Sequence, residues 1–164
     1  MIAETRTALI RVFVLSLSRK TDYALLILTA LAGRQRQFLS LKVLAETYHL
    51  PYRFVAQVVR PLIQRGLLES REGAAGGYRL AKKPADISVR EVVAAEEGGI
   101  ALASCLNPAK HYACPQKTVC TARGGMPAVQ RLLLETLARH TVADLLLGER
   151  GARASPVSTK RGRP

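Results

Sequence analysis

The stretch that decides the fold is residues 40–80, SLKVLAETYHLPYRFVAQVVRPLIQRGLLESREGAAGGYRL. Ser40 can accept backbone N–H bonds at the start of a short helix, and Pro51 suits the first position of the next. Two helices joined by so tight a turn predict a helix-turn-helix. The glycines at 73–77 then separate two short extended runs, which predicts a β-hairpin.

A helix precedes this stretch. Ser18 can cap it and Gly33 can end it. Its apolar residues recur at helical spacing: Ala24, Leu25, Ile27, Leu28 and Leu31. The helix after Pro51 has its own apolar face: Phe54, Val55, Val58, Val59 and Leu62. The order of three helices and a hairpin predicts a winged helix.

Pro61 stands inside the third predicted helix. Proline has no N–H to donate to the carbonyl of Gln57, so we expect it to kink or end the helix there. The part of this helix that could face a ligand is therefore predicted to run from Pro51 to Arg60.

Past Pro84, two capping boxes predict further helices, one at Ser88–Glu91 and one at Thr141–Asp144. Between them, apolar residues from Pro127 onward predict a long amphipathic helix, and packing against a second copy would bury it. The predicted fold is mainly α: a winged helix-turn-helix with a small β-hairpin wing, a cysteine loop and a long C-terminal dimerisation helix.

Charge is distributed unevenly along the 164 residues, whose formal net charge is +13. Residues 17–83 hold twelve Lys/Arg against four Asp/Glu, whereas residues 84–148 hold six of each. A basic front half favours a polyanion such as duplex DNA, with counterion release as the driving force. We expect no membrane partner, because no run approaches the roughly 18 apolar residues of a spanning helix.

The predicted divisions are an N-terminal extension (1–16), a DNA-binding region (17–84), a cysteine loop with dimerisation helices (85–148) and a disordered basic tail (149–164). The extension makes a poor signal peptide, so we expect a cytoplasmic protein, with Val14 as an alternative start. The end of the tail, Lys160–Pro164, resembles the core of an AT-hook, although so short a match arises easily by chance and a solubilising basic tail is the favoured interpretation.

Three cysteines, Cys105, Cys114 and Cys120, have the spacing C-x8-C-x5-C. An odd number cannot all pair within one chain, which leaves metal ligation, redox chemistry or burial. Thiolates are soft ligands of the kind that hold iron–sulfur centres. The alternatives are structural zinc, with His111 as fourth ligand, or a thiol switch without metal.

Five segments together resemble one family: 17–24 (LSRKTDYA), 50–57 (LPYRFVAQ), 73–78 (GAAGGY), the cysteines and 141–145 (TVADL). Over about residues 17–147 the chain is similar to the Rrf-type winged-helix transcriptional regulators, typified by IscR and NsrR. The resemblance implies a homodimer on an operator in double-stranded DNA, often with an iron–sulfur cluster, 2Fe-2S or 4Fe-4S, that controls binding.

The resemblance also implies DNA-contacting residues. On the recognition helix these are Tyr52, Arg53, Gln57 and Arg60, with Arg53 and Gln57 suited to base edges and Arg60 and Lys42 to phosphate. In the wing they are Arg71, Gly76 and Gly77. Here Glu72 stands where the family commonly has an arginine, which puts insertion of the wing into the minor groove in doubt. The simpler alternative is a solvated charged face.

The fourth cluster ligand is open. Arg123 stands where IscR has a histidine, and the stretch 120–126 instead resembles regulators of the Suf iron–sulfur assembly operon. Asp22, from the opposite subunit, matches the aspartate of NsrR-like members and is favoured over His111. Two alternative functions are a constitutive DNA binder and a thiol- or metal-dependent enzyme, although the sequence offers no nucleophile paired with a base for the latter.

Overall fold

The computed structural model describes residues 17–34, 37–73, 75–107 and 112–147. The predicted extension, His111 and the basic tail lie outside these residues. The elements are α1 (Arg19–Ala32), α2 (Leu41–Thr47), α3 (Tyr52–Gln64), β1 (Leu68–Arg71), β2 (Gly77–Leu80), α4 (Val89–Glu97), α5 (Met126–Arg139) and α6 (Val142–Leu146). The mainly helical fold with one small hairpin is thus confirmed. No described helix is long and apolar enough to cross a membrane.

The predicted helix caps at Ser18 and Ser40 are confirmed, whereas Pro51 is the N-cap of α3 and not its first helical residue, which is Tyr52. The hydroxyl of Ser18 accepts from the backbone N–H of Thr21 at 3.4 Å, and that of Ser40 accepts from Val43 at 3.3 Å. Both capping boxes are complete, at Ser88–Glu91 and at Thr141–Asp144. These starts could be predicted because a cap joins residues only three positions apart.

Of the two predicted effects of Pro61, a kink or an end of the third helix, the end is wrong. Helix α3 continues through Pro61 to Gln64. Val58, Val59 and Leu62, on either side of the proline, are buried in the core. Their burial holds the turns before and after Pro61 in helical geometry and offsets the missing backbone bond, which costs about 3 kcal/mol in an isolated helix.

One hydrophobic core joins the two halves of the chain. It takes side chains from α1, α2, α3 and both strands, and also Ile87, Val92 and Val142 from the second half. Helix α1 lies at its centre and packs against α3, α4 and α6. Helix α5 contributes only one buried side chain, that of Gln130, and so lies outside this core.

The hairpin gains a third extended segment from the link between α1 and α2. Strands β1 and β2 pair antiparallel, with Leu68 opposite Leu80. On the other edge of β2, the backbone of Leu39 pairs with Tyr78 through two hydrogen bonds of 3.0 and 2.8 Å. The wing is therefore anchored to the segment that leads into α2.

Gly77 permits this close approach. Its φ is 141°, and a Cβ built there would lie 2.4 Å from the carbonyl oxygen of Leu39. We expect Gly77→Ala to lower the free energy of unfolding by about 3–5 kcal/mol, through backbone strain and overlap together. Urea denaturation measures this loss.

Gly66→Ala is the matched control for that substitution. Gly66 also has a positive φ, 65°, but nothing lies within 4 Å of the added Cβ. Its cost should be the left-handed strain alone, about 1–2 kcal/mol. Equal losses in the two variants would show that the contact between β2 and Leu39 does not constrain the wing.

Candidate functional site

Helix α3 presents a polar face at spacings of three and four residues. Its opposite face, through Val55 and Val58, is buried against α1 and α2. The side chains of Tyr52, Arg53, Gln57 and Arg60 are all exposed, as predicted. Exposed guanidinium and amide groups are of the type that can pair with base edges in a major groove.

The orientation of α3 is fixed by its neighbours. The ring of Phe54 meets that of Tyr23 on α1 edge-on, with centroids 5.2 Å apart and planes at 80°. At the turn between α2 and α3, His49 has a φ of 53°, and the N–H of Leu50 donates to the carbonyl of Ala45 at 2.8 Å. These contacts hold the two helices in one rigid helix-turn-helix.

A cleft lies between the start of α3 and the wing. Its lining includes five of the eight residues predicted to contact DNA: Lys42, Tyr52, Arg71, Gly76 and Gly77. The other three, Arg53, Gln57 and Arg60, follow along the exposed face of α3. The fold thus places the eight predicted residues along the exposed face of α3 and in the adjoining cleft. These eight residues, named for their predicted role, are called here the DNA-facing surface.

Two acidic residues modify the charge of this surface. Lys42 pairs with Glu46 one helical turn away, at 3.9 Å, and both side chains are largely exposed. Such a pair contributes little to stability and can yield to a phosphate. Glu72 also lines the cleft, beside the wing glycines. Its carboxylate adds negative charge next to the wing glycines.

The three cysteines lie on the segment between α4 and α5. Cys105 and Cys120 are exposed, Cys114 is half-buried, and all three are free thiols. The thiol of Cys114 lies 3.7 Å from the side-chain oxygen of Gln116. Within the described ranges, no three Cys, His, Asp or Glu side chains are gathered as a metal site would require.

The donor chemistry of this segment nevertheless fits a soft metal centre. Three unpaired thiols are available within C-x8-C-x5-C. Cys105 lies within the short turn Ser104–Leu106, and Cys120 directly precedes the turn Thr121–Gly124. Asp22, the predicted fourth ligand, is exposed in the first turn of α1. The predicted metal site therefore stays a prediction, with its thiols and the carboxylate all accessible.

A contact that the sequence analysis missed ties the end of α4, which leads into the cysteine segment, to the start of α1 in the DNA-binding region. Glu97, the last residue of α4, accepts hydrogen bonds from the hydroxyl of Thr21 at 2.6 Å and the N–H of Ser18 at 3.1 Å. These bonds, that from Thr21 foremost, lower the pKa of Glu97 despite some burial. The start of α1, next to Asp22, is thus fastened to the end of α4.

Gln130 on α5 is a second residue that the sequence analysis missed. It is buried. Its side-chain oxygen accepts a hydrogen bond from the N–H of Leu102 at 2.8 Å, and its side-chain nitrogen donates to the carbonyl of Ile100 at 2.5 Å. Its spacing to Leu133, Leu134 and Leu137 could have indicated an inward face. With Gln130 on the inner face of α5, the apolar side chains of Val129 and Leu132 lie on its outer face and are more than half exposed.

Glu96, beside Glu97, has an unusual environment. Both its carboxylate oxygens are buried, and neither accepts a hydrogen bond from any residue that the structure describes. Burial raises the pKa of Glu96 to about 7 from an ordinary value of 4.5, and the charge of Glu97 adds to the rise while Lys20 opposes it. The carboxyl group of Glu96 therefore stays protonated in the folded protein at pH values where it is already ionised in the unfolded chain.

This proton makes the stability depend on pH. Between about 4.5 and 7 the folded state binds more protons at Glu96, so its contribution to stability falls as pH rises through that range. We expect Glu96→Gln to raise the melting temperature at pH 8 and to leave it nearly unchanged at pH 5. Calorimetry at both pH values measures this, with the exposed Glu72→Gln as control, and equal shifts at the two pH values would contradict it.

A basic helix-turn-helix, a hairpin wing and one shared DNA-facing surface define a winged-helix DNA-binding protein. Residues 17–147 match the model of the Rrf2 family, described as iron-dependent transcriptional regulator. The chain therefore belongs to the Rrf2 family of transcriptional regulators. The family and the relatives below are regulators of transcription, so the chain groups with regulators and not with enzymes.

Similar sequences include the HTH-type transcriptional regulators NsrR of Shouchella clausii and of Bacillus subtilis. The first is 34% identical over 141 residues, which cover 85% of this chain and 94% of the relative. The second is 31% identical over 133 residues, covering 80% and 90%.

Similar solved structures include CymR, the global cysteine regulator of B. subtilis, and IscR of T. potens. The CymR structure has a TM-score of 0.66 and 29% identity, covering 82% of this chain and 98% of that one. The IscR structure has a TM-score of 0.61 and 28% identity, covering 81% and 87%. The winged-helix fold predicted from sequence is confirmed by these likenesses.

Proposed function

We propose that this chain is a cytoplasmic, homodimeric repressor or activator whose affinity for an operator is controlled by an iron–sulfur cluster. Regulation through DNA follows from membership of the family; control by a cluster is the added claim. The observation that carries the proposal is the pair of hydrogen bonds by which Glu97, at the end of α4 just before the cysteine segment, holds the start of α1. Helix α1 in turn packs on the recognition helix α3.

The DNA-binding part rests on the DNA-facing surface. Arg53 and Gln57 would read bases in the major groove, while Lys42 and Arg60 would contact phosphates. In the wing, the side chain of Arg71 and the main chain at Gly76 and Gly77 would contact the DNA phosphate backbone beside the half-site. Two such surfaces in a dimer would occupy half-sites about one helical turn apart on a near-palindromic operator.

The dimer is supported by the exposed face of α5. Val129 is 51% exposed and Leu132 58% exposed, although both are large apolar side chains on a helix. Leu145 and Leu146 of α6 are also exposed. An apolar surface of this kind gains free energy when a partner covers it, and a second copy is the partner that a palindromic site requires.

The cluster would be held by Cys105, Cys114 and Cys120 of one protomer, with the partner subunit's Asp22 as fourth ligand. It would supply a redox-sensitive and nitric-oxide-sensitive iron centre. A bond from Asp22 to this centre would pull on the first turn of α1, where Thr21 contacts Glu97. Loss of the centre would release that turn and change the spacing of the recognition helices.

A thiol switch without metal is the second candidate, favoured by the exposure of Cys105 and Cys120. A structure of the oxidized form of CymR from Staphylococcus aureus is also similar to this chain, with a TM-score of 0.59 and 26% identity. In that case disulfide formation, and not iron loss, would move α1.

Anaerobic purification followed by iron, sulfide and zinc analysis separates these candidates. The proposal expects brown protein with two or four iron atoms and as much sulfide per cluster; colourless protein with zinc, or with no metal, would contradict it. Selection of duplexes from a random pool then tests DNA binding. Recovered near-palindromic duplexes should bind at least about 1,000-fold more tightly than random DNA.

A further inference from the structure

The side chain of Phe38 stands at the meeting point of two wing arginines. The guanidinium carbon of Arg71 lies 4.4 Å from the centre of its ring, and that of Arg79 lies 4.5 Å from it. Both are within the range in which a cation is attracted to an aromatic face. Phe38 lies in the link before α2 and is half-buried.

The strand register explains this arrangement. Leu39 pairs with Tyr78, so the antiparallel ladder sets Phe38 opposite Arg79. On the other edge of β2, Arg79 is opposite Glu69, and the two form an ion pair. Because side chains alternate along a strand, Arg71 shares the face of Glu69. Phe38, Arg79, Glu69 and Arg71 thus form one cluster on the outer face of the wing.

Within this cluster Arg71 is the residue that reaches the DNA-facing surface. It lines the cleft beside α3, and its guanidinium also donates to the carbonyl of Ala75 in the wing loop at 2.6 Å. Phe38 does not line the cleft. A guanidinium has five N–H donors in a fixed plane, so a ring that fixes the plane also fixes where the remaining donors point.

We propose that Phe38 is a positioning residue for DNA binding, which holds Arg71 against the wing so that its guanidinium meets a backbone phosphate of the operator. Arg79, which is paired with Glu69, also lies against the ring of Phe38. This arrangement gives the wing a basic contact although Glu72 occupies the tip position. The proposal rests on the DNA-binding function above.

The test is a double-mutant cycle on the full-length dimer and the duplex that the wild-type protein selects from a random pool. Phe38→Leu should weaken binding about fivefold to tenfold, as loss of one held cation implies. Arg71→Ala should weaken it by a similar factor and reduce the slope of log affinity against log salt by about one. The double variant should bind like Arg71→Ala alone.

Three outcomes would overturn the proposal. They are unchanged binding by Phe38→Leu, an equal loss from Phe38→Leu in the wild-type and Arg71→Ala proteins, and weakened binding by Phe38→Tyr, which keeps an aromatic ring. If Phe38→Leu does not fold, a fluorinated phenylalanine placed at position 38 keeps the shape and weakens the cation attraction; it should lose affinity in the same way, and undiminished affinity would overturn the proposal. Absence of any preferred duplex for the wild-type protein would instead refute the DNA-binding function.

Discussion

Arg53→Ala is expected to weaken binding to the selected operator by about 10-fold to 100-fold, the discrimination that one bidentate contact to a base provides. Arg53 is exposed in the first turn of α3, on the same face as Gln57 and Arg60. Loss of a base contact should also relax the sequence preference at one position in each half-site. Titration of the operator and of its single-base variants measures both effects.

Arg90→Ala is the matched control for Arg53→Ala. It removes the same charge from an exposed site on α4, away from the residues that line the cleft. Long-range electrostatics alone would therefore weaken both variants alike and leave the sequence preference unchanged. That result would remove Arg53 from the base-contacting surface.

The second large effect is expected at the cysteines. Cys114→Ala should abolish the brown colour and the bound iron of anaerobic protein, because two remaining thiolates and a carboxylate hold a cluster poorly. The variant should then bind the operator with the affinity of cluster-free wild-type protein. Ultraviolet-visible spectra, iron analysis and operator titration on the same preparation measure these outcomes.

Ser104→Ala, in the same segment, is the control and should keep the colour. The same measurements on Asp22→Ala and His111→Ala identify the fourth ligand, since only the true ligand should lower the iron content. Brown Cys114→Ala protein would exclude that thiol as a ligand. A footprint that stays the same with all three cysteines replaced would make the protein a constitutive DNA binder.

The local parts of the fold could be predicted from sequence. Ser18, Ser40 and the two capping boxes act over three residues, and the polar face of α3 follows from helical spacing. The continuation of α3 through Pro61 could not be predicted, because the cost of a proline is local, whereas the burial of Val58 and Leu62 that offsets it depends on tertiary packing. Helix propensity alone does not include the stabilisation that comes from this burial.

The candidate site was predictable to a lesser extent. The residues of the DNA-facing surface were found through motifs, but Phe38 was not, because its role depends on arginines 33 and 41 positions later in the chain. Gln130 and Glu97 were missed for the same reason, since both bond residues far away in sequence. The proposed ligand set joins three cysteines to the partner subunit's Asp22, so it depends on a contact between two chains that spacing within one chain does not reveal.

The measurement that tests the account most directly is operator affinity in one anaerobic sample before and after its iron is removed. Control through the cysteine segment requires that the two states differ in affinity for the same DNA. We expect a difference of at least about tenfold, the usual scale of such coupling, that vanishes in Cys114→Ala. Equal affinity before and after iron removal would contradict the account.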